Sequence, residues 1–363
     1  MTQSGTAAQG QPKVRDVGID VARGLAVLLM IQTHAYDAWV ELGARASVAY
    51  RVTRELGSIP APIFVFLAGV GVAYGEVTMA RRGALPNAIR ARFARRGGEI
   101  LLLAYVVSAV YAWMDGAQGF REILRADILH AIALTLIVLA LVVVQRRHAL
   151  WTAAGLSAIA LAGSLALTGW AKSTLAGHAL APIFALFVEV PPYSRFPLMP
   201  TLAFAGLGYV FGRRILASPP KPGQALAICG LSALVALVAN VATKQWVDAA
   251  ELGPLTRGHP ALLLNFIDGT ARALSVTALA VWVSPRLPDR VSSVLVRLGQ
   301  GSLWAYAFHI PFCYGRVGRA LWHALGMTNA TLCVASLMAL TWLAVFARDV
   351  LRDRWKKTRT AGT

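Results

Sequence analysis

Apolar residues run along this chain in stretches of about 20, broken by short polar segments. They do not alternate every second position, nor do they line one face of otherwise polar helices. Ten such runs stand out, at roughly 18–39, 58–77, 99–114, 127–145, 149–169, 197–212, 224–243, 262–283, 297–315 and 330–347. At about 1.5 Å rise per residue, a run of this size crosses a hydrocarbon core about 30 Å thick. Lipid satisfies no backbone group, so a spanning segment is a helix or a strand of a closed barrel. Barrel strands are shorter and alternate in polarity, which these runs do not. The pattern predicts an all-α polytopic membrane protein with about ten transmembrane helices.

Composition agrees. Hydrophobic residues make up 57% of the 363 and charged residues only 14%, far from the balance of a soluble domain. The net charge of +18 is spread over the segments between runs. With the N-terminus cytoplasmic, inside segments hold 22 Lys and Arg against 11 outside, the bias that the positive-inside rule requires. The charge is therefore a topology signal, and nucleic acid is not an expected partner. No linker or internal repeat divides the chain. Residues 1–12 read as a disordered N-terminal arm, 13–347 as one transmembrane domain and 348–363 as a basic cytoplasmic tail. The first span reads as retained, because no small-residue cleavage site ends it. Cys229, Cys313 and Cys333 are scattered within apolar runs and imply neither a metal site nor a disulfide framework.

Ionisable residues inside a membrane are candidates for function. "IDVARGLAVLLMIQTH" carries Asp20 and Arg23 at one end and His34 at the other. Asp20 and Arg23 are three apart on one helix face and can pair. His34 lies 11 residues beyond Arg23, about 16 Å along the axis, in the outer half of the bilayer. Asp37 follows at i+3, where it is expected to orient the imidazole. Other polar groups fall at the same outer depth: Asp127 with His130, Asp268 with Arg272, His309 two residues before Pro311, and Arg195 in "SRFPLMP". Each pair alone is ordinary helix-packing glue. Together, on different helices, they describe a polar cavity opening to the outside. On the cytoplasmic side, "RRGALPNAIRARFARRGG" reads as a loop with six arginines. Attraction to anionic lipid explains such a cluster, and so does phosphate recognition by arginine's planar fork.

The Asp20–Arg23–His34 spacing resembles the first span of the transmembrane acyltransferases, including acyltransferase family three. "PAPIFVFLAGVGVAYG" is similar to the second-span motif of that superfamily, with Ala68-Gly69 where Ser-Gly is usual. "ADILHAIALT", "RFPLMPTLAFAGLGYVFGR" and "LGQGSLWAYAFHIPFCYG" resemble the heparan-alpha-glucosaminide N-acetyltransferase catalytic-domain family. The resemblance implies a ten- or eleven-helix enzyme that moves an acetyl or longer acyl group from cytoplasmic acetyl-CoA to a hydroxyl or amine of a sugar or glycan on the outer side. Some members of this wider group carry an asparagine at the His34 position and a histidine soon after. Here the next histidine is His130, so the assignment follows the family-three pattern.

On this reading His34 is general base or acyl-accepting nucleophile, and imidazole's titration near neutral pH suits the first role. His130 and His309 complete the catalytic set, one or the other stabilising the thioester oxygen. Asp20, Arg23, Arg95 and Arg96 form the donor site, and Asp37, Asp127, Arg195, Asp268 and Arg272 the acceptor site. Acetyl-CoA is a substrate here, and no resident cofactor or metal is implied. The expected location is a cytoplasmic membrane, the inner membrane if the source is bacterial, with both termini inside. A secondary transporter or flippase for a sugar or lipid-linked intermediate is the alternative, since intramembrane charges would serve it too.

Overall fold

Each of the ten apolar runs falls on helix in the computed structural model, which describes residues 16–115, 123–175, 177–218, 220–249 and 254–361. The helices are α1 (Val17–Trp39), α2 (Val48–Gly57), α3 (Pro60–Arg81), α4 (Pro86–Asp115), α5 (Ile128–Val142), α6 (Ala149–Thr174) and α7 (Ala181–Phe184). They continue with α8 (Leu198–Ala217), α9 (Pro222–Ala249), α10 (Pro254–Val283), α11 (Asp289–Gln300), α12 (Ser302–Tyr314) and α13 (Met327–Ala361). Among the described residues there is no strand, only two isolated bridges, Val40 with Leu325 and Ala126 with Ser194. Six segments are long and apolar enough to cross a membrane: 17–39, 48–81, 149–174, 222–245, 261–286 and 327–355. The helix Ile128–Val142 is apolar but shorter.

Two sequence expectations need correction. The arginine cluster is not a loop. Pro86 opens α4 and residues 87–96 continue it without a break, because arginine and alanine are good helix formers. The expected span 297–315 is two helices, α11 and α12, separated at Gly301. A Cβ on Gly301 would stand 2.5 Å from Val345, so α13 presses against the break. The basic tail is the end of α13, held to α11 by the ion pair of Asp349 with Arg297 at 3.7 Å. The arm expected over residues 1–12 lies outside the described residues.

Helix α1 is the hub. It packs against α2, α3 and α10–α13, and the two largest apolar cores meet on it. Asp16 starts it, its carboxylate accepting from the Gly18 N–H at 2.8 Å. Its far end is pinned where Glu41 N–H donates to the Leu325 carbonyl and Leu325 N–H to that of Trp39, both at 3.0 Å. Small residues bring the neighbours close. A Cβ on Gly24 would fall 2.1 Å from the Leu295 carbonyl oxygen of α11. Between α3 and α8, Gly69 faces the Ala205 carbonyl at 1.9 Å and Gly208 faces that of Phe66 at 2.0 Å, again measured from a notional Cβ. Backbones approach this closely only at glycine, the device of membrane helix pairs.

Candidate active site

His34 sits one turn before the end of α1, facing a cavity of about 520 Å³. Its Nδ1 lies 2.9 Å from Nε2 of His309 on α12, with the ring planes 8° apart. His309 is fully buried, and its Nδ1 lies 2.7 Å from the Ala305 carbonyl. A carbonyl only accepts, so His309 carries its proton on Nδ1 and, when neutral, offers a lone pair at Nε2. His34 Nδ1–H then donates to it, and His34 Nε2 keeps its own lone pair. This tautomer follows from the hydrogen-bond network. The ring of Tyr314 packs edge-on against His34, and its hydroxyl donates to Asp37 at 3.0 Å. Asp37 therefore supports the imidazole through Tyr314, where a direct contact was expected; the direct partner is His309.

Two short segments close the opposite wall. Residues 125–127 and 194–196 run side by side in a parallel bridge, with Arg195 N–H donating to the Ala126 carbonyl at 2.9 Å. This places Arg125, Asp127 and Arg195 on one cavity. Tyr306 of α12 donates to Asp127 at 2.6 Å. His130 has another role. It forms a capping box with Asp127, its Nδ1 accepting from the Asp127 N–H at 3.3 Å, and it is 1% exposed and off the cavity. It orders the start of α5.

A second cavity of about 390 Å³ lies toward the Arg23 end of α1. It is mostly apolar, with Arg23, Arg96 and Gln300 among its lining. Met30, Phe64, Ile128 and Tyr306 line both cavities, which therefore adjoin across these side chains. From Arg23 to Asp37 they follow α1 for about 21 Å. Arg23 donates to the Leu67 carbonyl at 2.9 Å, and Gln300 to Asp20 at 3.3 Å. Of the three arginines expected at the donor site, Arg23 and Arg96 line this cavity; Arg95 is on the outer face of α4, 76% exposed.

Asp268 and Arg272 do pair, at 2.7 Å, but neither lines the His34 cavity. Arg272 reaches across to Glu55 at 3.6 Å and to the Ser58 hydroxyl at 2.9 Å. Lys244 joins at 2.6 Å from Glu55. The group ties α2 to α9 and α10, so its role is to hold helices together. The sequence reading missed Arg125, Tyr306, Tyr314 and His323, all on the cavity. The i,i+8 spacing of Tyr306 and Tyr314 around His309 was a signal, hidden because tyrosine in an apolar run reads as core. His323, on the loop after α12, had none.

Residues 15–242 match the family described as "Heparan-alpha-glucosaminide N-acetyltransferase, catalytic". That stretch holds His34, Arg23, Arg96, Asp127 and Arg195, and stops before the helices that carry Tyr306, His309 and Tyr314. No curated protein matches the chain.

Proposed function

The chain belongs to the heparan-alpha-glucosaminide N-acetyltransferase catalytic family, and from that premise we propose that this acetyltransferase moves the acetyl group of cytoplasmic acetyl-CoA to a glycan acceptor on the other side of the membrane, with His34 as general base. The observation that carries the reading is the His34–His309 pair beside the meeting point of two cavities. A long, thin pantetheine arm suits the apolar Arg23 cavity, with Arg96 and Arg23 near the charged groups of CoA. The thioester would then come to rest beside His34. The His34 cavity, with more charged side chains on its lining, would take the acceptor, with Arg125, Asp127 and Arg195 binding its hydroxyls or amine.

In the chemical step the acceptor nitrogen or oxygen attacks the thioester carbon and gives its proton to His34 Nε2. The charge that forms on the imidazole is shared through Nδ1–H with His309, which the Ala305 carbonyl steadies. The C–S bond breaks as the acyl bond forms, and the thiolate takes the proton back from His34 Nε2 as it leaves toward the Arg23 cavity. His309 touches no substrate here; it is a positioning residue. Ten crossings with both termini cytoplasmic accord with the basic-residue bias and with the helix on every apolar run. The test is transfer by the purified protein in detergent, read as free CoA thiol with glucosamine as acceptor. The reading predicts thiol release that needs both substrates and vanishes in His34→Ala; equal release from the variant would overturn it.

A further inference from the structure

A third cavity, of about 410 Å³, adjoins the first and shares Arg195 with it. It lies between α6, the start of α8 and α10, and its volume is within the range of about 300–1,000 Å³ usual for ligand sites. Its walls combine two chemistries. Phe204 and Phe266 present a tilted aromatic pair with centroids 4.7 Å apart. Thr168 of α6 and Asn265 of α10 add hydrogen-bonding groups. Asn265 is exposed although it stands in a segment apolar enough to span a membrane. Lipid offers no hydrogen bonds, so an exposed amide there faces a wet cavity rather than hydrocarbon. The Lys172–Glu189 ion pair, at 2.9 Å, contributes to the same lining.

We infer that this cavity is a second acceptor subsite, which holds the adjoining sugar unit of an oligosaccharide whose reacting unit sits at His34. The inference rests on the glycan-acceptor reading and extends it. Pyranose rings offer an apolar face and equatorial hydroxyls, and the walls supply an aromatic partner for the first and amide, hydroxyl and charged partners for the second. Arg195 is placed to bridge the two units. The Ala126–Ser194 bridge fixes its backbone at the boundary between the two cavities.

The test compares glucosamine with its dimer and trimer as acceptors for the purified enzyme and acetyl-CoA. The subsite predicts a kcat/KM for the dimer at least tenfold above the monomer, with little further gain for the trimer. In Thr168→Ala/Asn265→Ala that ratio should fall toward one, in protein whose melting temperature shows it folded. Equal kcat/KM for wild-type monomer and dimer would overturn the subsite while leaving the acceptor reading intact. A wild-type gain that survives the double variant would overturn it too, since the second unit would then bind elsewhere. Failure of every glucosamine acceptor would overturn the glycan reading and the subsite with it.

Discussion

Two histidines in membrane helices, His34 and His130, have opposite surroundings. His34 faces a cavity with Nε2 unengaged by its partner His309, whereas His130 is spent on the backbone of Asp127. His34→Ala should lower turnover per folded molecule by about 10²–10⁴-fold, the usual loss on removing a positioned base. His130→Ala should instead lower stability by about 1–3 kcal/mol, since it leaves a buried N–H without its acceptor, and the remaining folded protein should turn over normally. Rates normalised to folded protein, alongside melting temperature in detergent, separate the two. His309→Ala should reduce kcat less than His34→Ala and leave KM for acetyl-CoA unchanged; a raised KM alone would contradict its positioning role. The Asp20–Arg23–His34 spacing was legible because it lies on one helix. The contact of His34 with His309 was not, because 275 residues separate them and only the packing of α12 on α1 joins them.

Among the elements, the α3–α8 pair shows most clearly what the sequence hides. Apolar runs fix where helices lie, but not which of them touch backbone to backbone. Gly69 and Gly208 carry that information, and only the structure shows that each faces the other helix's carbonyl. Gly208→Leu should displace α8 from α3 and destabilise by about 1–3 kcal/mol or more, as overpacking does. Loss of folded, monodisperse protein on gel filtration would register it, and an unchanged elution profile with an unchanged melting temperature would argue against the close contact. The Asp268–Arg272 spacing was read correctly as a pair, but the pair does not line the His34 cavity, because i,i+4 geometry says nothing about what lies opposite. Glu55, on α2, is what lies opposite. Arg272→Ala should therefore lower melting temperature without raising KM for acceptor. The helical form of residues 87–96 was missed since a run of arginines reads as a polar loop, yet arginine's helix propensity is high.

At the scale of the molecule, two cavities that share Met30, Phe64, Ile128 and Tyr306 lie along α1, and the proposed reaction brings donor and acceptor together where they adjoin. Reporter fusions after Arg96 and after Thr363 should both read cytoplasmic; an external reading at Arg96 would place the donor on the wrong face. Binding of CoA should weaken in Arg96→Gln and with rising salt, since its charged groups meet arginine near solvent. Arg95→Gln should bind as the wild type does, because Arg95 is off the cavity. The measurement that goes most directly to the central claim is a structure with a non-reactive acetyl-CoA analogue bound. It should show the pantetheine arm in the Arg23 cavity, Arg96 beside the nucleotide, and the thioester carbonyl beside Met30 and Tyr306, facing His34 across a space where an acceptor atom fits about 3–3.5 Å from the carbon. A thioester held against another part of the protein, with His34 facing neither it nor an acceptor, would contradict the account.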